Sequence, residues 1–159
     1  LIEAVALAAP DLPQLRLLVV GDGRSREALE AQAAGLGLQD RVRFTGFRDD
    51  VGTVLSGLDV FCLPSHSEGL PFALLEACAH RLPLLVTGVG GMDDLLDDGD
   101  TARVVRPADP ADLARGLRSL AADPQEAAAM GERAHRLVAA RFSLDAMIGA
   151  TLDAYRDGR

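Results

Sequence analysis

Short apolar runs alternate with longer amphipathic ones along the chain, and this alternation constrains the fold more than any other feature. Each apolar run is about four or five residues long and is bounded by Gly, Pro or polar residues, which is typical of a strand. The predicted strands are Arg16–Val20, Val42–Thr45, Asp59–Leu63, Pro83–Thr87 and Thr101–Val105. Strands separated by helices predict βαβ units, so we expect an α/β fold with a parallel sheet and flanking helices.

The C-terminal third of the chain carries clear helix-start signals. Asp109-Pro110 and Asp123-Pro124 each place a side-chain acceptor at a cap and proline at the first helical position. Ser143 is predicted to cap a last helix that ends near Arg156. A length of 159 residues fits one domain. We therefore predict a single domain over residues 1–159 with a helical C-terminus.

Composition excludes several function classes. The formal net charge of −8 disfavours nucleic acid as a partner. All 16 basic residues are arginine, which is typical of a GC-rich genome and favours a bacterial source. No apolar run approaches the roughly 20 residues of a membrane span, so no transmembrane segment is predicted. Cys62 and Cys78 have neither disulfide nor metal-site spacing, so we expect a cytoplasmic protein without a metal.

The most informative segment follows the third predicted strand and leads into a helix. Open α/β sheets bind ligands at the carboxyl ends of their strands. A helix that begins near Leu70–Pro71 would direct free N–H groups toward an anion such as phosphate there. Glu68 precedes this helix, and Glu76 lies about 7–8 Å along its axis from Pro71. Carboxylates accept hydrogen bonds from hydroxyl groups, so the arrangement predicts a nucleotide-sugar ligand.

Two structural alternatives compete with this interpretation. Ser65 and Glu68 have the spacing of a capping box, although Gly69 and Pro71 would interrupt a helix that begins at Ser65. Glu76 would otherwise be an ordinary solvated charge on a helix face, and the residues alone leave that choice open. His66 lies in the same loop and is a further candidate for sugar contact.

Several of these motifs resemble those of one enzyme family. Glu68 and Glu76, separated by seven residues, resemble the E-x7-E signature of the retaining glycosyltransferases of group 1, family four, which have the two-domain GT-B architecture. Pro64-Ser65 before the signature and Gly69-x-Pro71 within it strengthen the resemblance. Further segments that match in the family's order are Leu18–Gly23, Val42–Phe47, Gly90-Gly91 and Asp98-Gly99.

The resemblance implies a Rossmann-like domain that forms the donor-binding half of a GT-B enzyme. It implies that Glu76 binds the ribose hydroxyls and that Glu68, the candidate catalytic residue, binds the transferred sugar. It further implies transfer with retention of anomeric configuration, without a metal or a separate cofactor. The remaining candidate donor-binding residues are His66, Ser67, Gly69, Leu70, Pro71 and Leu75 around the sugar and diphosphate, and Gly46, Phe47 and Arg48 beside the base.

The chain also departs from the family pattern. The family's phosphate-binding Arg and Lys follow the first strand of this domain, and the present sequence starts in the helix after them. That first strand is central in the order 3-2-1-4-5-6. We therefore predict either a longer native polypeptide or an unusual closure in which Arg16–Val20 pairs beside Asp59–Leu63. Asp93-Asp94 stands where the family often has Pro-Glu, and Ala102 stands where it usually has Gly.

An acceptor-binding N-terminal domain is expected upstream, and peripheral membrane contact would occur through that half. Because the chemistry of this architecture lies between two domains, we expect the present chain alone to be inactive. A non-catalytic nucleotide-sugar-binding module of the same fold is the alternative function. Flavodoxin-like receiver domains are disfavoured because they use a lysine near the last strand, and this sequence has no lysine.

Overall fold

The structure is a computed structural model that describes residues 1–158. The strands are β1 Leu17–Val20, β2 Val42–Gly46, β3 Phe61–Leu63, β4 Leu84–Thr87 and β5 Arg103–Val105. The helices are α1 Ile2–Ala8, α2 Arg26–Gly35, α3 Val51–Leu55, α4 Phe72–Ala79, α5 Gly91–Leu95, α6 Pro110–Ala122, α7 Pro124–Arg141 and α8 Leu144–Arg156. The predicted α/β class, the five strands and the helical C-terminus are confirmed.

The strands form two parallel sheets that do not join. β1 pairs with β2, and β3, β4 and β5 form the second sheet in that order. Within residues 1–158 no ladder connects β1 with β3. The predicted closure of Arg16–Val20 beside Asp59–Leu63 is therefore wrong. The two strand edges instead line opposite sides of a groove of about 1710 Å³.

The carboxyl ends of the strands face one side of the molecule. A small cavity of about 250 Å³ is lined by Leu1 and Glu3 at the start of α1, and also by Thr87 at the end of β4 and Arg106 just after β5. Helix α1 therefore starts at the carboxyl edge of the second sheet. Phe47 and Arg48, in the loop after β2, line the large groove together with Ala73 and Glu76 of α4, which follows β3. The loops after β2 and β3 therefore lie on the same side of the molecule.

Strand β4 forms the centre of the core. All four of its residues are buried. Leu85 packs with the helices α1 and α6, whereas Leu84 and Val86 pack on the opposite face, with α4 and α7. This alternation follows from the two-residue period of a strand covered by helices on both faces.

The predicted helix caps are present. Asp109 accepts a hydrogen bond from the Asp112 N–H at 2.8 Å, and Asp123 accepts one from the Glu126 N–H at 3.0 Å. Ser143 caps α8 by accepting from the Ala146 N–H at 3.2 Å. In the described part of the chain, every helix is too short or too polar to cross a bilayer.

Candidate active site at the carboxyl edge

The N-terminus of α4 opens onto the carboxyl edge. Pro71 is the N-cap, in an extended conformation, and its carbonyl accepts hydrogen bonds from the N–H groups of Leu74 and Leu75 at 3.0 and 3.4 Å. The N–H groups of Phe72 and Ala73 precede the helical ladder and are available to an anion. The predicted helix start near Leu70–Pro71 is thus confirmed within two residues.

Glu68 is held in the loop ahead of α4 by a chain of hydroxyl contacts. The Ser65 hydroxyl donates to the Glu68 carboxylate at 2.7 Å. Ser65 is itself anchored, because the hydroxyl of the buried Thr87 donates to its carbonyl at 2.6 Å. No helix begins at Ser65, so the capping-box interpretation is wrong. Sequence reasoning missed Thr87, whose only signal is a hydroxyl residue at the end of an apolar strand.

The backbone of the Glu68 loop is in direct contact with Gly90, in the loop after β4, and with Gly91, the first residue of α5. A Cβ on Gly90 would stand 2.0 Å from the Glu68 carbonyl oxygen, and one on Gly91 would stand 2.4 Å from the Gly69 carbonyl oxygen. Gly90 also has φ = +54°, in the region that favours glycine. Only glycine allows this close approach. The family resemblance includes both glycines, but it did not predict their contact with the Glu68 loop.

Glu76 lies in the second turn of α4 and is exposed. It lines the large groove together with Phe47 and Arg48 of the loop after β2. Its side chain makes no hydrogen bond or ion pair with another residue among 1–158. The carboxylate is therefore free to accept hydrogen bonds from a ligand at the carboxyl edge.

The loop after β2 presents one free aromatic ring and one paired cation. Gly46 accepts a hydrogen bond from the Gly21 N–H at 2.9 Å, which ties the ends of β1 and β2 together. Phe47 is 81% exposed. Arg48 donates to the Asp50 carboxylate through Nε at 2.6 Å and through Nη2. This hydrogen bonding lowers the pKa of Asp50 and raises the pKa of Arg48.

The structure brings the remaining predicted residues to the same edge but divides them between two cavities. His66 is exposed and lines the small cavity with Thr87 and Arg106, whereas Glu76 lines the large groove. The rest of the candidate set comprises exposed Ser67, Gly69 and Leu70 and half-buried Pro71 and Leu75.

Among the acidic residues between β4 and β5, Asp98 has structural partners. Asp98 forms an ion pair with Arg103 at 3.2 Å and accepts the Val104 N–H at 3.0 Å. Asp93 and Asp94 lie in the first turn of α5. Across residues 1–158, no group of three or more His, Cys, Asp or Glu side chains is arranged to hold a metal ion.

The sequence and the fold match known proteins. The family model for glycosyl transferases group 1 matches residues 1–137. The lipopolysaccharide core biosynthesis glycosyltransferase LpsE of Rhizobium meliloti is 35% identical over 152 residues, which cover 96% of this chain and 44% of that protein. The alpha-D-kanosaminyltransferase of Streptomyces kanamyceticus is 34% identical, with coverage of 98% and 41%. The chain thus spans about two fifths of the length of these curated relatives.

A solved structure agrees with this match. Anabaena Alr3699/HepE, crystallised in complex with UDP, superimposes with a TM-score of 0.88 at 26% identity, over 97% of this chain and 44% of that protein. The C-terminal domain of a group 1 glycosyl transferase family protein, LpcC of Francisella tularensis, shares the fold with a TM-score of 0.81 at 23% identity, over 90% of this chain and 77% of that domain. The chain belongs to the group 1 glycosyltransferases.

Proposed function

We propose that this chain forms the donor-binding half of a retaining glycosyltransferase. The complete enzyme would transfer a sugar from a nucleoside diphosphate sugar to an acceptor hydroxyl group. The observation that carries the proposal is the free carboxylate of Glu76, which is exposed at the carboxyl edge and lines the groove beside α4. An unpaired carboxylate at this edge of an α/β sheet is suited to hydroxyl recognition.

The diphosphate would occupy the space ahead of α4. The Phe72 and Ala73 N–H groups lie outside the helical ladder, and the positive end of the helix dipole favours negative charge at the same point. Glu76 would accept hydrogen bonds from the ribose hydroxyls on one side of the diphosphate. Phe47, with its exposed ring in the loop after β2, would border the base.

The transferred sugar would contact Glu68 on the other side of the diphosphate. Ser65 donates to this carboxylate and removes part of its rotational freedom, so the acid is prepared to receive sugar hydroxyls. Glu68 would bind and orient the sugar, and it need not act as a nucleophile. His66, Ser67, Gly69, Leu70, Pro71 and Leu75 would complete the surroundings of the sugar and diphosphate. No metal and no separate cofactor is included in this proposal.

The test is isothermal titration of UDP, GDP and ADP, and of their glucose conjugates, into the full-length protein and its Glu76→Gln variant. UDP is the first probe because Anabaena HepE was crystallised with it. Loss of a charge-assisted hydrogen bond costs about 1.5–3 kcal/mol, so affinity for the preferred nucleotide should fall roughly 10- to 100-fold. Glu27→Gln is the matched control, because Glu27 is exposed in the first turn of α2, away from the groove.

Equal affinity of the wild type and Glu76→Gln, or no binding of any of the nucleotides, would contradict the proposal. The anomeric configuration of a reaction product, measured by NMR, tests retention separately. Binding without transfer to any acceptor or to water would favour the non-catalytic nucleotide-sugar-binding module instead.

A further inference from the structure

Thr87 is a polar residue at the end of the buried central strand. Within the described residues, 1–158, two polar residues are buried, Thr87 at 3% exposure and Thr101 at 5%. Strand β4 pairs with β3 on one side and with β5 on the other, and Thr87 itself is in register with Val105. A β-branched side chain has few rotamers, so the Thr87 hydroxyl is held in a defined position beside the loops that follow the sheet.

The hydroxyl of Thr87 reaches the loop that follows the neighbouring strand. It donates to the Ser65 carbonyl at 2.6 Å and lies 3.5 Å from the Leu63 carbonyl. Valine has nearly the same shape and a similar preference for strands, so β4 does not require a hydroxyl group for its own formation. What the hydroxyl adds is a hydrogen bond between the central strand and the loop that contains Glu68.

Ser65 connects this hydrogen bond to the Glu68 carboxylate. Its carbonyl accepts from Thr87, and its own hydroxyl donates to Glu68 at 2.7 Å. Ser65 and Glu68 are both half-buried, whereas His66 and Ser67 between them are exposed. Two successive hydrogen bonds therefore link the end of β4 to one oxygen of the carboxylate, and they restrict the directions in which that carboxylate can point.

We propose that Thr87 is a positioning residue, which orients the Glu68 carboxylate through Ser65 and thereby determines how tightly the sugar part of the donor is held. The inference rests on the proposed function, because it takes Glu68 as the acid that receives sugar hydroxyls. A carboxylate that is already oriented loses less conformational freedom when the sugar binds. Glu76 lies on α4 and lines the groove, whereas the hydrogen bonds of Thr87 go to the loop after β3. Removal of the Thr87 hydroxyl should therefore weaken binding of the sugar and leave binding of the nucleoside diphosphate unchanged.

The first test observes Glu68 in the full-length protein without ligand. Three-bond scalar couplings, measured by NMR, report whether χ1 of Glu68 occupies one rotamer or averages over several. The wild type and Thr87→Ser, which keeps the hydroxyl, should show one rotamer, and Thr87→Val should show averaging. A single Glu68 rotamer in Thr87→Val would overturn the proposal, whether or not any nucleotide binds.

Thr101→Val is the matched control for the loss of a buried hydroxyl. The Thr101 hydroxyl accepts a hydrogen bond from the Asp97 N–H at 2.8 Å, in the turn ahead of β5. Both valine variants lose a buried hydrogen bond, so both should be less stable than the wild type in urea denaturation. Only Thr87→Val should change the rotamers of Glu68. The same averaging in Thr101→Val would overturn the proposal, because it would reflect a general loosening of the domain.

The second test is titration calorimetry with the preferred nucleoside diphosphate among UDP, GDP and ADP and with its glucose conjugate. The affinity for the conjugate relative to that for the free diphosphate should fall roughly 10-fold in Thr87→Val, with the affinity for the diphosphate itself unchanged. Thr87→Ser and Thr101→Val should keep the wild-type ratio. An unchanged ratio in Thr87→Val would overturn the proposal. Absence of nucleotide binding by the wild type would instead contradict the proposed function, so the two failures are distinguishable.

A double-mutant cycle with Ser65→Ala tests whether Thr87 acts through Ser65. Without the Ser65 hydroxyl, the second hydrogen bond to Glu68 is absent, so Thr87→Val should lower the affinity ratio little further in the Ser65→Ala background. Equal effects of Thr87→Val in the two backgrounds would overturn the proposal, because they would show that Thr87 only supports the fold of the loop.

Discussion

Substitution of Gly90 by alanine should displace the Glu68 loop while leaving the chemical groups of that loop unchanged. The new Cβ would lie 2.0 Å from the Glu68 carbonyl oxygen, and Cβ atoms in proteins essentially never approach another heavy atom below 3.0 Å. The obstructing atom belongs to the backbone, so a change of side-chain rotamer cannot relieve the overlap. The Glu68 loop and the start of α5 must therefore move apart by about 1 Å or more.

The substitution should lower both the free energy of unfolding and the affinity for the sugar conjugate. Alanine at φ = +54° carries backbone strain on the order of 1–3 kcal/mol, which should appear as a lower free energy of unfolding. The displaced Glu68 carboxylate would also lose hydrogen bonds to sugar hydroxyls, each worth about 1.5–3 kcal/mol because one partner is charged. Glu76 lies on α4 and is not contacted by Gly90. Affinity for the free nucleoside diphosphate should therefore change little, while the sugar conjugate loses its additional affinity.

Two measurements check this prediction. Urea denaturation gives the change in stability, and titration calorimetry compares UDP with UDP-glucose at a temperature where the variant is folded. Gly99→Ala is the matched control, because Gly99 has φ = +83° but an added Cβ there meets no atom within 4 Å. If Gly99→Ala weakened sugar-conjugate binding as much as Gly90→Ala, or if Gly90→Ala bound UDP-glucose like the wild type, the positioning argument would be refuted.

Three further predictions concern the rest of the domain. Gly131→Ala should destabilise the protein by about 2–3 kcal/mol in urea denaturation, because its Cβ would lie 2.2 Å from the Arg81 carbonyl oxygen; Gly149→Ala, whose Cβ meets nothing within 4 Å, should be neutral or slightly stabilising. Burial raises the pKa of the Cys78 thiol to about 11, so iodoacetamide at pH 8 should modify it only after unfolding. A hydrogen bond from the Arg106 N–H lowers the pKa of Asp112 in the folded protein. The stabilisation from this carboxylate is therefore complete above its unfolded pKa near 3.9 and is lost as the pH falls through the lower folded pKa. Asp112→Asn should reduce the loss of stability that is measured below about pH 4.

Local sequence patterns predicted which strands form, but they predicted the first residues of those strands less accurately. The run from Asp59 predicted the third strand, yet β3 begins at Phe61. Its ladder with β4 starts at the pair Phe61 and Leu84. The last strand, predicted from Thr101, similarly begins at Arg103, because the Thr101 hydroxyl bonds with the backbone of Asp97 instead. Residue propensity predicts that a strand forms, but hydrogen bonding to the neighbouring strand decides where it begins and ends.

Local sequence patterns could not predict the contacts that position the candidate site residues. The spacing of Glu68 and Glu76 predicted two acids around the start of a helix, and α4 does start between them. Nothing in the spacing identifies Thr87, which anchors the loop from the neighbouring strand. The diglycine likewise predicted a turn, while its contact with the Glu68 backbone depends on how the loops after β3 and β4 pack. These contacts join segments that are distant in sequence, so local periodicity cannot predict them.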